Sequence, residues 1–426
     1  MLCYNYSMLK KEWAISTFII AVFLLRIPPL YFTGIKNIFL TTHSIVVLTI
    51  PLIFLYLFSQ RLYYKKRLPY LNTPEALFVV IFFATQSLSI FGASNVEIFL
   101  QRYVKIIFGI IVFIAVKELV AIDKKIIYKV PIAIIAGGLI TFGLQLILFF
   151  APDVYFQLGE TLIYKNVYSI TITNFSVGKI FDDSFLQTVT PFIIYYLASS
   201  KNKLIIPVLV SAMVGMGMVD FASNFRYRVI AYVVSLASSL GLIFRFKRNL
   251  IIVIGIVFLI FLVLPNVDKY LRQNVGFSFV DRILLESETR DIASIEWRLS
   301  AFEQSIQMAS TNIFGVGLGN FFDKSQFVNI PKTNFPNYTI TIEALKAGPH
   351  NIFFQILAET GLPGLTSLVI LLAYFVRKDL HIIKDKMSGI KTAYVLGFWT
   401  LILIGQFFPT NNFTFFTLFF LFRGAL

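Results

Sequence analysis

The chain has 426 residues, 57% of them hydrophobic and only 14% charged, with a formal charge of +15. A mean hydropathy of +0.79 excludes an ordinary soluble domain and points to an all-α protein of the membrane. The lysines and arginines are scattered between apolar runs and form no contiguous patch, so their excess does not mark a nucleic-acid surface.

A helix needs about 20 mostly apolar residues to cross the hydrocarbon core. In chain order such runs cover residues 13–33, 38–58, 75–92, 98–118, 130–150, 186–200, 204–221, 226–244, 249–265, 351–376, 392–408 and 412–426, which makes about twelve transmembrane helices. Pro191 interrupts the sixth. Basic residues recur on alternate connections: Lys10 and Lys11, then Arg61/Lys65/Lys66/Arg67, Lys124/Lys125/Lys129, Lys201/Lys203, Arg245/Lys247/Arg248 and Arg377/Lys378/Lys384/Lys386/Lys391. The positive-inside tendency places these connections, and both termini, in the cytoplasm. Arg26, Pro28 and Pro29 follow the first run and no small-residue cleavage site is visible, so it reads as an uncleaved helix. The single Cys3 leaves no partner for an internal disulfide.

Two connections on the expected outer side are long, at about 151–185 and 266–349, and loops of that length are more often functional than incidental. The second, between the ninth and tenth spans, contains EWRLSAFEQSIQMA, where Leu299, Phe302, Ile306 and Ala309 recur at helical spacing. An amphipathic helix here would lie on the membrane or cap a cavity between the spans. Gly315, Gly317 and Gly319 follow it and permit a tight backbone path. They lack the βαβ context that nucleotide binding would require.

His350, just after Gly348 and Pro349, stands at the outer end of the tenth span. Its neutral imidazole would serve as a general base; a residue that merely starts a helix is the plainer alternative. His43 is a weaker competitor near another outer end, and His381 lies in a basic cytoplasmic connection. Arg226 and Arg228 begin the eighth span on the outer side, where the charge rule disfavours them. Residues two apart on a helix point in different directions, so one of the pair is expected to face the cavity. Arg298 opens the amphipathic segment, and Arg102 and Lys105 lie within the fourth span. A base with several guanidinium groups suggests chemistry on a phosphate-bearing substrate, because the planar fork matches phosphate oxygens and offsets charge on a departing pyrophosphate. No metal-ligand spacing accompanies them, Asp182–Asp183 being the nearest candidate, so the site is expected to need no metal or cofactor.

RLSAFEQSIQMASTNIFGVGLGNFF, followed about thirty residues later by PHNIFFQILAETGLPG, resembles the signature of the O-antigen ligase and polymerase superfamily of bacterial envelope glycan assembly. The resemblance covers roughly residues 222–376. It implies a twelve-span protein of the inner membrane with a large periplasmic loop. It also implies an inverting glycosyltransferase that moves glycan from undecaprenyl pyrophosphate to an acceptor hydroxyl. On it, His350 matches the histidine proposed as base, Arg298 the loop arginine and Glu359 the glutamate of the Glu-x-Gly element. Arg226 is preferred for the arginine that often follows serine in the family, although SNFRYR departs from that pattern and leaves Arg228 open. Arg102 and Lys105 would line the pyrophosphate site.

Implied partners are the lipid-linked oligosaccharide, the bilayer, a chain-length regulator and a flippase. The second long outer loop, with Lys165, Lys179 and the two aspartates, favours a polymerase that holds two lipid-linked substrates over a ligase that moves the finished chain to lipid A-core. A transporter is the rival from another class, suggested by Arg102 and Lys105, but the sequence shows no inverted repeat.

Overall fold

The structure is a computed structural model and describes residues 2–27, 31–35, 38–63, 73–150, 185–200, 204–222, 226–243, 266, 269, 273, 288–321, 323, 349–385, 389–407 and 413–426. Twelve α-helices occur among them: α1 Leu2–Arg26, α2 Thr42–Tyr63, α3 Pro74–Leu88, α4 Val96–Ile122, α5 Ile126–Phe150, α6 Thr190–Ser199, α7 Ile205–Ala222, α8 Arg226–Ile243, α9 Glu288–Thr311, α10 Ile352–Lys384, α11 Gly389–Ile404 and α12 Phe413–Gly424. Eleven coincide with expected spans, and α9 is the amphipathic loop helix. The expected ninth span, 249–265, and nearly all of the first long loop, with Lys165, Lys179, Asp182 and Asp183, lie outside the described residues.

Among the described residues, four helical segments are long and apolar enough to cross a membrane: His43–Tyr63, Pro74–Gly92, Ile126–Leu144 and Ile352–Lys384. Four shorter apolar helices, within α7, α8, α11 and α12, accompany them. Their outer faces are what a bilayer requires. Leu362, Val369, Val376 and Leu380 on α10, and Leu48, Leu52, Leu55 and Leu62 on α2, are all exposed, a continuous apolar surface that a water-soluble protein avoids.

The all-helical expectation holds among the described residues apart from one short hairpin, and one span boundary is corrected. Residues Tyr31–Ile35 and Ile38–Thr41 pair as an antiparallel hairpin between α1 and α2. The first span, expected to run to residue 33, therefore ends at Arg26. The reason is local: Pro28 disfavours the α conformation of the residue before it.

Local signals start the helices. Thr73 Oγ1 accepts from the Ala76 amide at 3.3 Å with Pro74 in the first turn of α3, and Asn95 Oδ1 caps α4 through Ile98 at 3.1 Å. The interior is aromatic. Gly109 brings α4 against Phe420 of α12, and Phe192, Tyr394, Phe398, Phe415 and Phe419 fill the space between the helices around it.

Charges tie one end of the bundle. Glu75 Oε2 accepts from Lys378 at 2.8 Å and Lys117 at 3.2 Å, and Arg61 reaches Glu118 at 2.8 Å. Asp379 accepts from the Arg423 guanidinium at 2.6 Å and from the Trp399 indole at 2.7 Å. Arg423, fully buried, lies 3.7 Å from the centre of the Phe398 ring. These contacts join the start of α3 to the ends of α4, α10 and α12. The alternating up-and-down path read from the basic connections demands that arrangement.

Candidate functional site

The opposite end of the bundle carries the residues singled out from sequence. Asn351 caps α10, its Oδ1 accepting from the amides of Phe353 at 3.0 Å and Phe354 at 3.2 Å. Its Nδ2 donates to Gln406 Oε1 at 3.1 Å, and the Ile352 amide donates to Gly405 O at 2.8 Å. His350, one residue earlier, is half-buried and sits in the left-handed region at φ 47°, a conformation that costs a non-glycine residue about 1–2 kcal/mol.

The tenth span, expected as one helix, is broken. Gly361 adopts φ 67°, ψ −166°, a region essentially restricted to glycine. The bonding pattern shows how far the break folds the chain. Asp379 and Ile352 both reach α11, at Trp399 and Gly405. Those two points on α11 are about 9 Å apart by helical rise, whereas a straight α10 would separate Asp379 from Ile352 by about 40 Å. Residues 352–360 thus turn back across the end of the bundle and carry His350 with them.

Helix α9 runs beside this returning segment. Trp297 meets the His350 ring edge-to-face, centroids 4.6 Å apart, and Phe302 stacks on Phe354 at 4.2 Å. Beneath them Trp297, Ala301, Met308, Val316, Phe321 and Ala358 form a small core separate from the main one. The helix matches expectation but its buried stripe does not. Leu299 and Ile306 are exposed, while Trp297, Ala301, Gln304, Ser305 and Met308 face inward. Arg298, half-exposed, follows Trp297 directly and so lies within one residue of the histidine's ring partner.

The glycine cluster closes the break. Gly315, Gly317 and Gly319 all have positive φ. The amides of Val316 and Gly317 donate to the carbonyls of Ala358 and Glu359, each at 2.9 Å, and the Leu362 amide donates to Ile313 O at 3.2 Å. These bonds satisfy backbone groups that the interrupted helix would orphan. A side chain at Gly315 would fall 2.5 Å from the backbone of Glu359. The glycines hold protein backbone, which removes any need for a bound nucleotide to explain them.

Glu359 is buried at this junction, accepting from Gln355 Nε2 at 3.2 Å and from the Gly319 amide, with Arg102 close enough to act on its charge. Arg102 lies under the loop, since a side chain at Gly319 would meet its Cγ at 2.6 Å. Lys105, three residues further along α4, is half-buried. Asn320 completes the clasp: its Oδ1 accepts from the Asn95 amide at 2.9 Å and its Nδ2 donates to Asn95 O at 3.1 Å. One end of the bundle therefore gathers His350, Arg298, Glu359 and Arg102, with about 14 Å along the returning helix between His350 and Glu359.

Arg228 is used differently. It is 3% exposed and pairs at 3.1 Å with Asp220, which is fully buried and also accepts from Gln187 Nε2 at 2.7 Å. Arg226 occupies the first position of α8. His43 Nε2 lies 3.3 Å from Ile27 O, and His381 is exposed. Among the described residues no three His, Cys, Asp or Glu converge to hold a metal. Sequence reasoning missed Asp220, Trp297 and Asn320. Asp220 was the most visible of these, a lone carboxylate in the apolar run GMGMVDFA.

Fold and site together define a polytopic helical membrane protein in which the amphipathic helix α9 and the broken helix α10 are joined over one end of the bundle. The family model described as O-antigen ligase matches residues 211–369. That range runs from α7 to just past the break in α10 and includes Asp220, Arg228, α9, the glycine loop, His350 and Glu359. The resemblance to the O-antigen ligase and polymerase superfamily is thereby supported over the segment that builds the site, while Arg102 and Lys105 lie outside the match. No curated protein matches the chain.

Proposed function

We propose that this protein is an inverting glycosyltransferase of the periplasmic face of the bacterial inner membrane. It joins lipid-linked repeat units as an O-antigen polymerase. The observation that carries this reading is the coincidence of the matched segment with the returning helix. The residues similar to the O-antigen ligase family include those that put His350 beside Arg298's helix and the Glu359 that faces Arg102 of α4.

In this mechanism His350 accepts the proton of the acceptor hydroxyl as that oxygen attacks the anomeric carbon of the donor. The bond from that carbon to the undecaprenyl pyrophosphate breaks with inversion, and the pyrophosphate leaves with both bonding electrons. Arg298 and Arg226 offset the charge that builds there, with Arg102 and Lys105 holding the pyrophosphate; Arg228, bound to Asp220, positions the start of α8. Fixed guanidinium groups supply the positive charge that a divalent ion supplies elsewhere, so the reaction is metal-independent. Glu359 orients the polar groups at the break. The alternating basic connections support a cytoplasmic location for both termini, and the carrier supply and product length imply a flippase and a chain-length regulator as partners.

The test is transfer by the purified protein in lipid, supplied with undecaprenyl-pyrophosphate-linked repeat units with and without lipid A-core. Elongated lipid-linked glycan without the core acceptor is expected; product that appears only with lipid A-core would make the protein a ligase. His350→Ala is expected to lower transfer by about 10²–10⁴-fold and Arg298→Ala to abolish it, both in protein that still inserts. Activity is expected to survive EDTA. Loss restored by a divalent cation would overturn the metal-free mechanism and bring Asp182 and Asp183 forward.

A further inference from the structure

We infer that Trp297 is a positioning residue that fixes the plane of the His350 imidazole relative to the neighbouring Arg298. The inference rests on the proposed function, because it gives His350 a task that needs a set orientation. Its structural basis stands independently of that task.

The backbone on the far side of His350 is bolted. Asn351 caps two amides and bonds Gln406, and Ile352 bonds Gly405. The backbone of His350 itself is held at φ 47°. Backbone anchoring alone does not set the plane of the ring. The ring meets the Trp297 indole at 4.6 Å between centroids and 89° between planes. That is the preferred edge-to-face arrangement of aromatic pairs.

The indole is a stable reference. It is 9% exposed and belongs to the small core with Ala301, Met308, Val316, Phe321 and Ala358. One turn along, Phe302 stacks on Phe354, which fixes the sliding register of α9 against the returning segment. Because Arg298 is the next residue after Trp297, the same helix that orients the base also sets the height of the guanidinium. A shift of about 1 Å in such a pair is enough to cost 100-fold in rate, so the aromatic contact is a specific requirement of the chemistry.

Two measurements test this. Protonated imidazole quenches the emission of an indole it touches, and Trp297 is one of three tryptophans in the chain. Emission of the purified protein in lipid nanodiscs is expected to fall as pH is lowered through the imidazole range, and His350→Gln is expected to remove that titration. An identical titration in His350→Gln would overturn the contact. In the transfer assay, Trp297→Leu is expected to lower kcat by about 10- to 100-fold with KM changed less than about 3-fold. Trp297→Phe, which keeps an aromatic ring against the imidazole, is expected to restore kcat to within about 3-fold of the parent. Parent-level kcat in Trp297→Leu, or a Phe variant as impaired as Leu, would overturn the positioning role. A fluorescence titration that is lost in a fully active His350→Gln protein would remove the base from the proposed function, and the positioning role with it, while the ring contact stood.

Discussion

At the scale of single residues, the most consequential group outside the candidate site is Asp220. Its carboxylate is fully buried and holds Arg228, 3% exposed, at 3.1 Å. Removing one member of such a pair leaves an uncompensated charge, whereas replacing both with apolar groups removes the burden. Asp220→Ala is therefore expected to destabilise the protein by about 3–5 kcal/mol, and Asp220→Leu with Arg228→Met to recover most of that loss. Thermal unfolding in detergent reads both; equal damage in the single and double variants would show that the ion pair is not what the fold requires. Arg228 was legible as an anomaly at the mouth of an apolar run, but Asp220 and the pairing of the two were not. They lie on different helices, α7 and α8, and spacing along the chain fixes no distance between them. The same holds for His350, whose place at a helix start was legible while its left-handed backbone and its indole partner, fifty-three positions earlier in the chain, were not.

At the scale of elements, apolar runs located the helices because a spanning helix must satisfy every backbone group internally, and only a long apolar segment does so in lipid. Which face each helix buries was less legible. On α9 the most apolar stripe, Leu299 and Ile306, is exposed, and serine and glutamine side chains lie inward. In a protein whose outer surface is itself apolar, hydrophobicity no longer separates inside from outside; small and hydrogen-bonding residues mark the contacts. The break in α10 was hidden for a related reason. Glycine and proline are tolerated within spanning helices, so GLPG reads equally as a continued helix or an interruption. The structure makes Gly361 a requirement, since an added Cβ would fall on Ile313 O and 2.7 Å from the Gly315 amide nitrogen, in a backbone region already closed to other residues. Gly361→Ala is expected to cost at least about 2 kcal/mol and to loosen α9 from the bundle. Faster hydrogen exchange at residues 313–317 and a lowered Tm are the readouts; an unchanged Tm would mean that the junction accommodates a side chain by relaxing.

At the scale of the whole molecule, the two ends of the bundle are chemically distinct. One is tied by Glu75, Lys117, Lys378, Asp379 and Arg423, and the other carries the glycine clasp, the returning helix and His350. The proposed periplasmic site requires that the second end face outward, and α4 offers a direct test because it reaches both. Its start, at Asn95, bonds Asn320 of the clasp, and Lys117 near its end bonds Glu75. Glu97 is exposed at the clasp end, and Lys125 is exposed just past the end tied by Glu75. The chain has a single cysteine, Cys3, so Cys3→Ser gives a background without thiols into which reporters can be placed. In intact spheroplasts, a membrane-impermeant maleimide is expected to label Glu97→Cys and to leave Lys125→Cys unlabelled until the membrane is opened. The separation is ample, since the 27 residues of α4 rise about 40 Å, more than the thickness of the hydrocarbon core. Labelling of Lys125→Cys alone would turn His350 toward the cytoplasm, where the positive-inside argument, the periplasmic acceptor and the proposed transfer reaction would all fail together.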